Sequence, residues 1–238
     1  MSDKLYHECH EVISQGRAIL EDLQQWGFES VIPLAVTEPV VVTPPSPQEP
    51  SSPAQSGTLA DMETGLAGCC LCPLSKQRQN IVFGAGNPHA RVVLVGEAPG
   101  RDEDEQGIPF VGEAGQLLEK ILLAMHLSRE DVYICNVIKC RPPGNRDPQG
   151  DEIAACEPFL KQQLALIQPE IIITLGRFAA QTLLQTTAPI GKLRGRWHEY
   201  QGIPLMPTFH PAYLLRNQAG KRPVWEDMQQ VMARLNIN

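Results

Sequence analysis

The stretch RVVLVGEAPGRDEDEQGIPFVG, residues 91–112, decides how the rest of the chain is read. RVVLVG is a short, continuous apolar run, the mark of a strand buried on both faces. Glu-Ala-Pro-Gly ends it, a run of acids follows, and Pro109-Phe110 returns an aromatic to the same loop. A loop built only to turn the chain needs none of these.

Working outward, the same pattern of apolar strand, loop and helix recurs. Arg91 to Gly96 precedes a helix near Ala114 to Met125, and Val132 to Val137 (VYICNV) precedes one near Gln149 to Ile167. Glu170 to Gly176 (EIIITLG) precedes a helix near Arg177 to Gln185, and Leu205 to Phe209 leads through a loop to a last helix near Val224 to Leu235. Apolar strands alternating with helices predict an α/β domain whose parallel sheet is covered on both faces. Such sheets bind ligands outside the carboxyl ends of their strands. Those ends read Gly96-Glu97-Ala98-Pro99-Gly100, Asn136, Gly176 and Thr208-Phe209-His210, which points to one pocket fed by several loops.

Upstream the composition changes. Leu5 to Trp26 carries its apolar residues on one helical face, so residues 1–30 are read as an amphipathic helix that either docks or tethers a protein partner. Residues 31–65 contain PLAVTEPVVVTPPSPQEPSSPAQSG, whose prolines and serines describe a disordered linker. The domain itself is expected over 66–238. Nothing in the sequence approaches the ~20 apolar residues of a bilayer-spanning helix, and MSDKLYHECHE is too charged for a signal peptide, so a cytoplasmic protein without a membrane partner is expected.

The formal charge of −7 argues against a nucleic-acid ligand only until it is divided by position. Residues 1–65 hold 10 acidic and 2 basic side chains, so the acidity belongs to the leader. From Thr186 to Arg222, Lys192, Arg194, Arg196, Arg216, Lys221 and Arg222 stand against Glu199 alone. That is a surface fit to face phosphate, although charge alone equally describes a solvated basic face.

Of the 7 cysteines, Cys69 and Cys72 form a C-x2-C with Cys70 between them, while Cys140 and Cys156 follow the second strand and lie in the next helix. Four thiolates at such positions can converge on tetrahedral zinc or on an iron–sulfur cubane, and spacing alone leaves both open. Buried, unliganded cysteines are the plainer alternative. Proline after Cys72 leans toward the cluster. Cys9 and Cys135 fall outside the set and read as a surface thiol and a core-strand residue.

Around the predicted pocket, Glu97 is placed to orient or deprotonate a water, or is simply a solvated loop acid. Phe110, held after a proline, either offers its face to a planar ring or anchors the loop in the core. Asn136 carries a donor and an acceptor suited to an amide-like edge such as that of uracil, or caps the next loop. His210 in TFHPAYLLR can hydrogen-bond a developing negative charge, or is structural. The acids 102–105 would repel a bare phosphate, and no phosphate-binding glycine loop is present. Together these residues ask for a planar base stacked on Phe110, read by Asn136 and attacked by water near Glu97.

At these residues the sequence resembles the family 4, iron–sulfur-containing uracil-DNA glycosylases. The resemblance spans about residues 66–235 and rests on CCLCPLSKQR, VGEAPGRDEDEQGIPFVGEAG, VYICNVIKCRPPGNRDP, EIIITLG, GKLRGRW and PTFHPAYLLR, in the family's order. It implies a three-layer α/β/α sandwich with a central four-stranded, mainly parallel sheet, and release of uracil from single- or double-stranded DNA by a monomer. By the same resemblance Phe110 stacks on the flipped base, Asn136 bonds its edge, His210 stabilises the leaving anion and Glu97 positions water. Ala98, Glu103 and Asn145 match further pocket positions. Cys69, Cys72, Cys140 and Cys156 bind a structural [4Fe-4S] cluster, with the Cys69-Cys70 doublet leaving the first ligand ambiguous. Leu214 or Leu215 enters the duplex while Arg216, with Arg194, holds DNA phosphate. GKLRGRWHEY lacks the histidine-bearing insertion of relatives that trap uracil covalently, so ordinary turnover is expected. The competing classes are a non-catalytic, zinc-stapled nucleic-acid module and a hydrolase of free nucleosides, the latter needing no basic surface.

Overall fold

A computed structural model describes residues 57–237. The helix expected over 1–30, Cys9 and linker residues 31–56 lie outside them. Leu59–Leu66 forms helix α1 where the sequence reading continues the linker. LADMETGL is rich in helix-favouring residues, and burying Leu66 fixes its end.

The sheet has six strands: β1 (Ala85–Gly86), β2 (Val92–Gly96), β3 (Val132–Asn136), β4 (Ile171–Leu175), β5 (His198–Tyr200) and β6 (Ile203–Thr208). Their order is β1-β3-β2-β4-β6-β5. The four expected strands form the centre and are parallel, while the short edge strands β1 and β5 run antiparallel to their neighbours. Two and three residues long, the edge strands are too short to show the alternation by which strands are recognised.

Strands β2, β3 and β4 are buried at every position, as apolar runs covered by helices on both sides must be. Side chains alternate between the faces. Val93, Val95, Tyr133, Cys135, Ile172 and Leu205 pack with Leu160, Leu164 and Ile167 of α4 (Gly150–Ile167) and with Ala179 and Leu183 of α5 (Arg177–Leu184). The buried stripes of α3 (Glu113–Ala124) and α8 (Lys221–Leu235) lie outside that cluster and cover the other face, giving three layers. Each fully buried aliphatic side chain in these stripes stabilises the fold by about 1.5–3 kcal/mol.

From β2 the chain crosses to β3 on one side and later to β4 on the other, so the strand order reverses beside β2. A crevice opens where it does. Register aligns the carboxyl ends there, pairing Gly96 with Asn136 and Leu175 with Thr208. The acid run is a helix, α2 (Arg101–Gln106), and not the open loop its charge suggested. Asp104 is buried and accepts from the Gln79 amide at 2.9 Å, which draws the acids into the fold. The remaining short helices are α6 (Ile190–Leu193) and α7 (Pro211–Arg216).

Candidate active site and cysteine centre

A cleft of about 760 Å³ opens at these strand ends, and Glu97, Ala98, Glu103, Phe110, Asn136, Asn145, His210, Leu215 and Arg216 all line it. The sequence places them across more than a hundred residues; parallel crossovers return each to the same edge.

Gly96 explains how closely the parts fit. A Cβ there would come within 2.6 Å of Phe110 Cζ and collide with Asn136 Oδ1, so the missing side chain lets ring and amide meet over the strand end. Asn136 is 1 % exposed, and its Oδ1 is buried with no hydrogen-bond partner in the protein. A buried acceptor left unpaired costs about 1–3 kcal/mol, which a ligand N–H in the cleft would recover.

Phe110 is buried with its ring 5.6 Å from that of His210. The imidazole accepts the Ala212 backbone N–H at Nδ1 (3.1 Å), as N-cap of α7. That bond leaves Nδ1 without a proton and makes Nε2–H the ring's donor. Desolvation lowers the His210 pKa to about 4, against a raising influence from Glu103, so the ring is neutral at physiological pH.

Glu97 behaves oppositely. Desolvation first, then the charge of Asp147, raises its pKa to about 7, with Arg177 pulling the other way. A carboxylate near neutrality in a cleft is suited to accept a proton.

Glu103 lines the cleft, but its carboxylate is engaged by the loop around it. Oε2 accepts the Gly100 N–H at 3.0 Å; Oε1 accepts those of Val111 and Gly112 at 2.9 and 3.0 Å. Asn145, at φ +55°, accepts from Arg141 Nε at 2.7 Å.

Two expectations for the DNA-facing residues need correction. Leu214 is fully buried, whereas Leu215 is 42 % exposed at the cleft, because adjacent positions on α7 point about 100° apart. Arg194 is not available to phosphate: it pairs with buried Asp227, donates to the Pro223 carbonyl at 2.5 Å and lies over the Phe209 ring. Arg216 remains exposed at the cleft.

Cys69, Cys72, Cys140 and Cys156 line a second hollow, with Leu66, Leu71, Ile81 and Phe159 among its apolar walls. Cys70 is exposed and absent from the lining, so the fold separates the doublet. Burial raises the Cys140 and Cys156 thiols, the latter to about 11. Arg78 donates to Cys140 Sγ at 3.4 Å and to the Cys69 carbonyl at 2.7 Å, and the Lys139 amide donates to Cys156 Sγ at 3.3 Å. Among the described residues, no three or more His, Cys, Asp or Glu side chains gather on a single ion's position.

Sequence reasoning missed Lys139 and Arg129. Lys139 is buried, and its Nζ donates to the Asn136 carbonyl (2.8 Å) and to Gln163 Oε1 (2.5 Å). The one signal was a lysine in the apolar stretch that follows Asn136, Val137-Ile138-Lys139-Cys140. Arg129 grips the Phe110 loop across nineteen residues, and no local pattern announces it.

Strand ends that hold a flat ring, an unpaired amide and a neutral imidazole over one cleft define an α/β/α domain built to take up a planar base. The model of the uracil DNA glycosylase superfamily matches residues 83–229. A type-4 uracil-DNA glycosylase of Thermotoga maritima is 47 % identical over 166 residues, covering 68 % of this chain and 86 % of that protein. One from Saccharolobus solfataricus is 45 % identical over 177 residues (71 % and 82 %), and one from Archaeoglobus fulgidus 45 % over 167 (66 % and 83 %). The chain belongs to the type-4 uracil-DNA glycosylase family.

Proposed function

We propose that the protein removes uracil from DNA, releasing the free base and leaving an abasic site. The observation that carries this is the unpaired Oδ1 of Asn136, set beside the Phe110 ring at the base of the cleft. Uracil presents N3–H next to O4, so Oδ1 accepts from the first while Nδ2 donates to the second. Cytosine offers the reverse pattern at its edge and is refused. The nucleotide must leave the stack first, which is easiest in single strands or opposite guanine. Leu215 fills the space it leaves and Arg216 holds phosphate.

Water then attacks C1′ of the deoxyribose, and the C1′–N1 bond breaks with its electron pair passing to uracil. Glu97 orients the water and takes its proton. His210, neutral and bearing its proton on Nε2, donates to the oxygen where uracil's negative charge develops. A neutral donor placed before the reaction stabilises that charge without reorganisation. Ala98 and Asn145 line the pocket, and Glu103 serves it by holding the loop amides.

Cys69, Cys72, Cys140 and Cys156 surround one hollow, a donor set of four thiols that fits a [4Fe-4S] cluster, and the family resemblance favours the cluster over zinc. When bound, the cluster supplies cross-linking, tying the segment before β1 to the end of β3 and to α4. Thiols raised by burial become thiolates only beside a metal cation, so assembly and folding are coupled. The same reading makes the protein a cytoplasmic monomer, with residues 1–30 offering a helix to a protein partner. No helix among the described residues is long and apolar enough to cross a membrane.

The test is incubation with an oligonucleotide carrying one uracil, followed by alkali. Scission at uracil, absent from the thymine control and falling steeply with salt, is expected. An intact strand, or activity confined to free nucleosides, overturns the reading. Anaerobically purified protein should be coloured and contain iron; colourless protein with stoichiometric zinc favours the non-catalytic module instead.

A further inference from the structure

Arg129, in the turn between α3 and β3, reaches across to the loop that carries Phe110. Its guanidinium donates from Nη1 to the Phe110 carbonyl at 2.8 Å and from Nη2 to the Pro109 carbonyl at 2.6 Å. Phe110 needs such restraint. It sits at φ +55°, a left-handed conformation that L-residues with bulky side chains avoid and that persists only where the surroundings impose it.

The restraints come from two directions. On one side Glu103 takes the amides of Val111 and Gly112, and Gly115 has no Cβ to strike the Phe110 carbonyl. On the other side Ile108, two residues before Phe110, borders a surface hollow. That hollow, of about 330 Å³ and lined by Ala85, Gly86, Asn87, Ile108, Arg129 and Glu130, stands next to the loop. Ile108 is 44 % exposed there. Pro109 and Phe110 are themselves buried, and the guanidinium fork ties their two carbonyls to the turn before β3. A planar fork donates to two adjacent carbonyls with its geometry already set, which a lysine ammonium does not.

We propose that Arg129 is a positioning residue for base excision: it fixes the left-handed backbone at Phe110 and so sets the ring that the flipped base stacks upon. It does not line the cleft and acts through Phe110 alone. This rests on the stacking role given to Phe110 above.

Single-turnover excision rates and melting temperatures of the parent, R129M, R129K, F110A and R129M/F110A proteins test it. R129M is expected to excise roughly 10- to 100-fold more slowly, the scale of losing charge-assisted hydrogen bonds, with R129K recovering part of the loss. Because both residues act through one ring, adding R129M to F110A should change the rate by less than about twofold. Parent-like rates for R129M overturn the proposal. So does a loss that multiplies fully with F110A, which places Arg129's action elsewhere, or a loss seen only as a lowered melting temperature. F110A at the parent rate removes the stacking role itself, an outcome distinct from a failure of Arg129 alone. If R129M does not fold, R129K decides by the same comparison.

Discussion

The base cleft and the cysteine hollow are built on different physical terms. In the cleft the groups that shape the pocket are held by hydrogen bonds: Glu103 holds three amides, His210 holds the Ala212 N–H, and among the described residues only Asn136 Oδ1 is a buried cleft acceptor without a partner. In the hollow the thiols sit among apolar walls, and burial moves Cys140 and Cys156 away from the ionised form. The cleft's geometry is thus fixed by hydrogen bonds that exist before substrate arrives, whereas on the reading proposed above the hollow's thiols become ligands only with a bound metal. Substitution in the cleft should cost rate and spare the fold; substitution in the hollow should cost the fold.

The strongest attempt to break that contrast is Cys156→Ala. With one of the four proposed ligands gone, iron content and visible absorbance should collapse, and the melting temperature should fall on the order of 10 °C or more, if soluble protein is recovered at all. Activity would disappear as a consequence. A variant that melts with the parent and still excises uracil would mean that the hollow is ordinary core.

That the cysteines could be picked out from sequence, while their neighbours could not be sorted, has a physical cause. C-x2-C brings two thiols together through local geometry, but Cys69 and Cys70 differ only in which way the chain carries them, and that is set by the fold. Leu214 and Leu215 make the same point, one in the core and one at the cleft by helix rotation alone. Charge counting treated Arg194 as a surface cation because its partner, Asp227, lies thirty-three residues away. The acid run looked repulsive until Asp104 was seen buried against Gln79 and Glu103 against the loop. Strand ends, by contrast, were readable: a parallel sheet has to place Gly96, Asn136 and the residues after Thr208 along one edge. Arg129 and Lys139 act through hydrogen bonds to distant backbone carbonyls, which leave no periodic trace.

Glu97→Gln sharpens the contrast from the cleft side. Loss of the base should slow excision by roughly 10²- to 10⁴-fold. Folding raises the Glu97 pKa to about 7, chiefly through desolvation, so the active carboxylate is the minor form below that pH. The parent rate should therefore climb about tenfold per pH unit up to neutrality and then level off. His210, at about 4, stays neutral throughout that range and adds no second inflection. The variant's profile should be flat. Its melting temperature should not drop, because a carboxyl group whose pKa is raised on folding opposes the fold once ionised, and glutamine removes that opposition. A parent profile level from pH 5 to 8 would remove Glu97 from the proton transfer.

The smallest effect separates two arginines that sequence alone treats alike. Arg216 is exposed at the cleft mouth, so Arg216→Ala should weaken DNA binding modestly, reduce the slope of log K against log salt by about 1, and leave the melting temperature unchanged. Arg194→Ala should do the reverse. It strands buried Asp227, which keeps only the Thr208 hydroxyl at 2.6 Å, and breaking a pair of this kind costs about 3–5 kcal/mol. Its salt slope should match the parent's, since a guanidinium already held by a carboxylate and a carbonyl releases no counterion from DNA. If Arg194→Ala lowered the slope and kept its melting temperature, the basic stretch would act as one undivided surface, and the division between groups that hold the domain together and groups that meet DNA would not run through it.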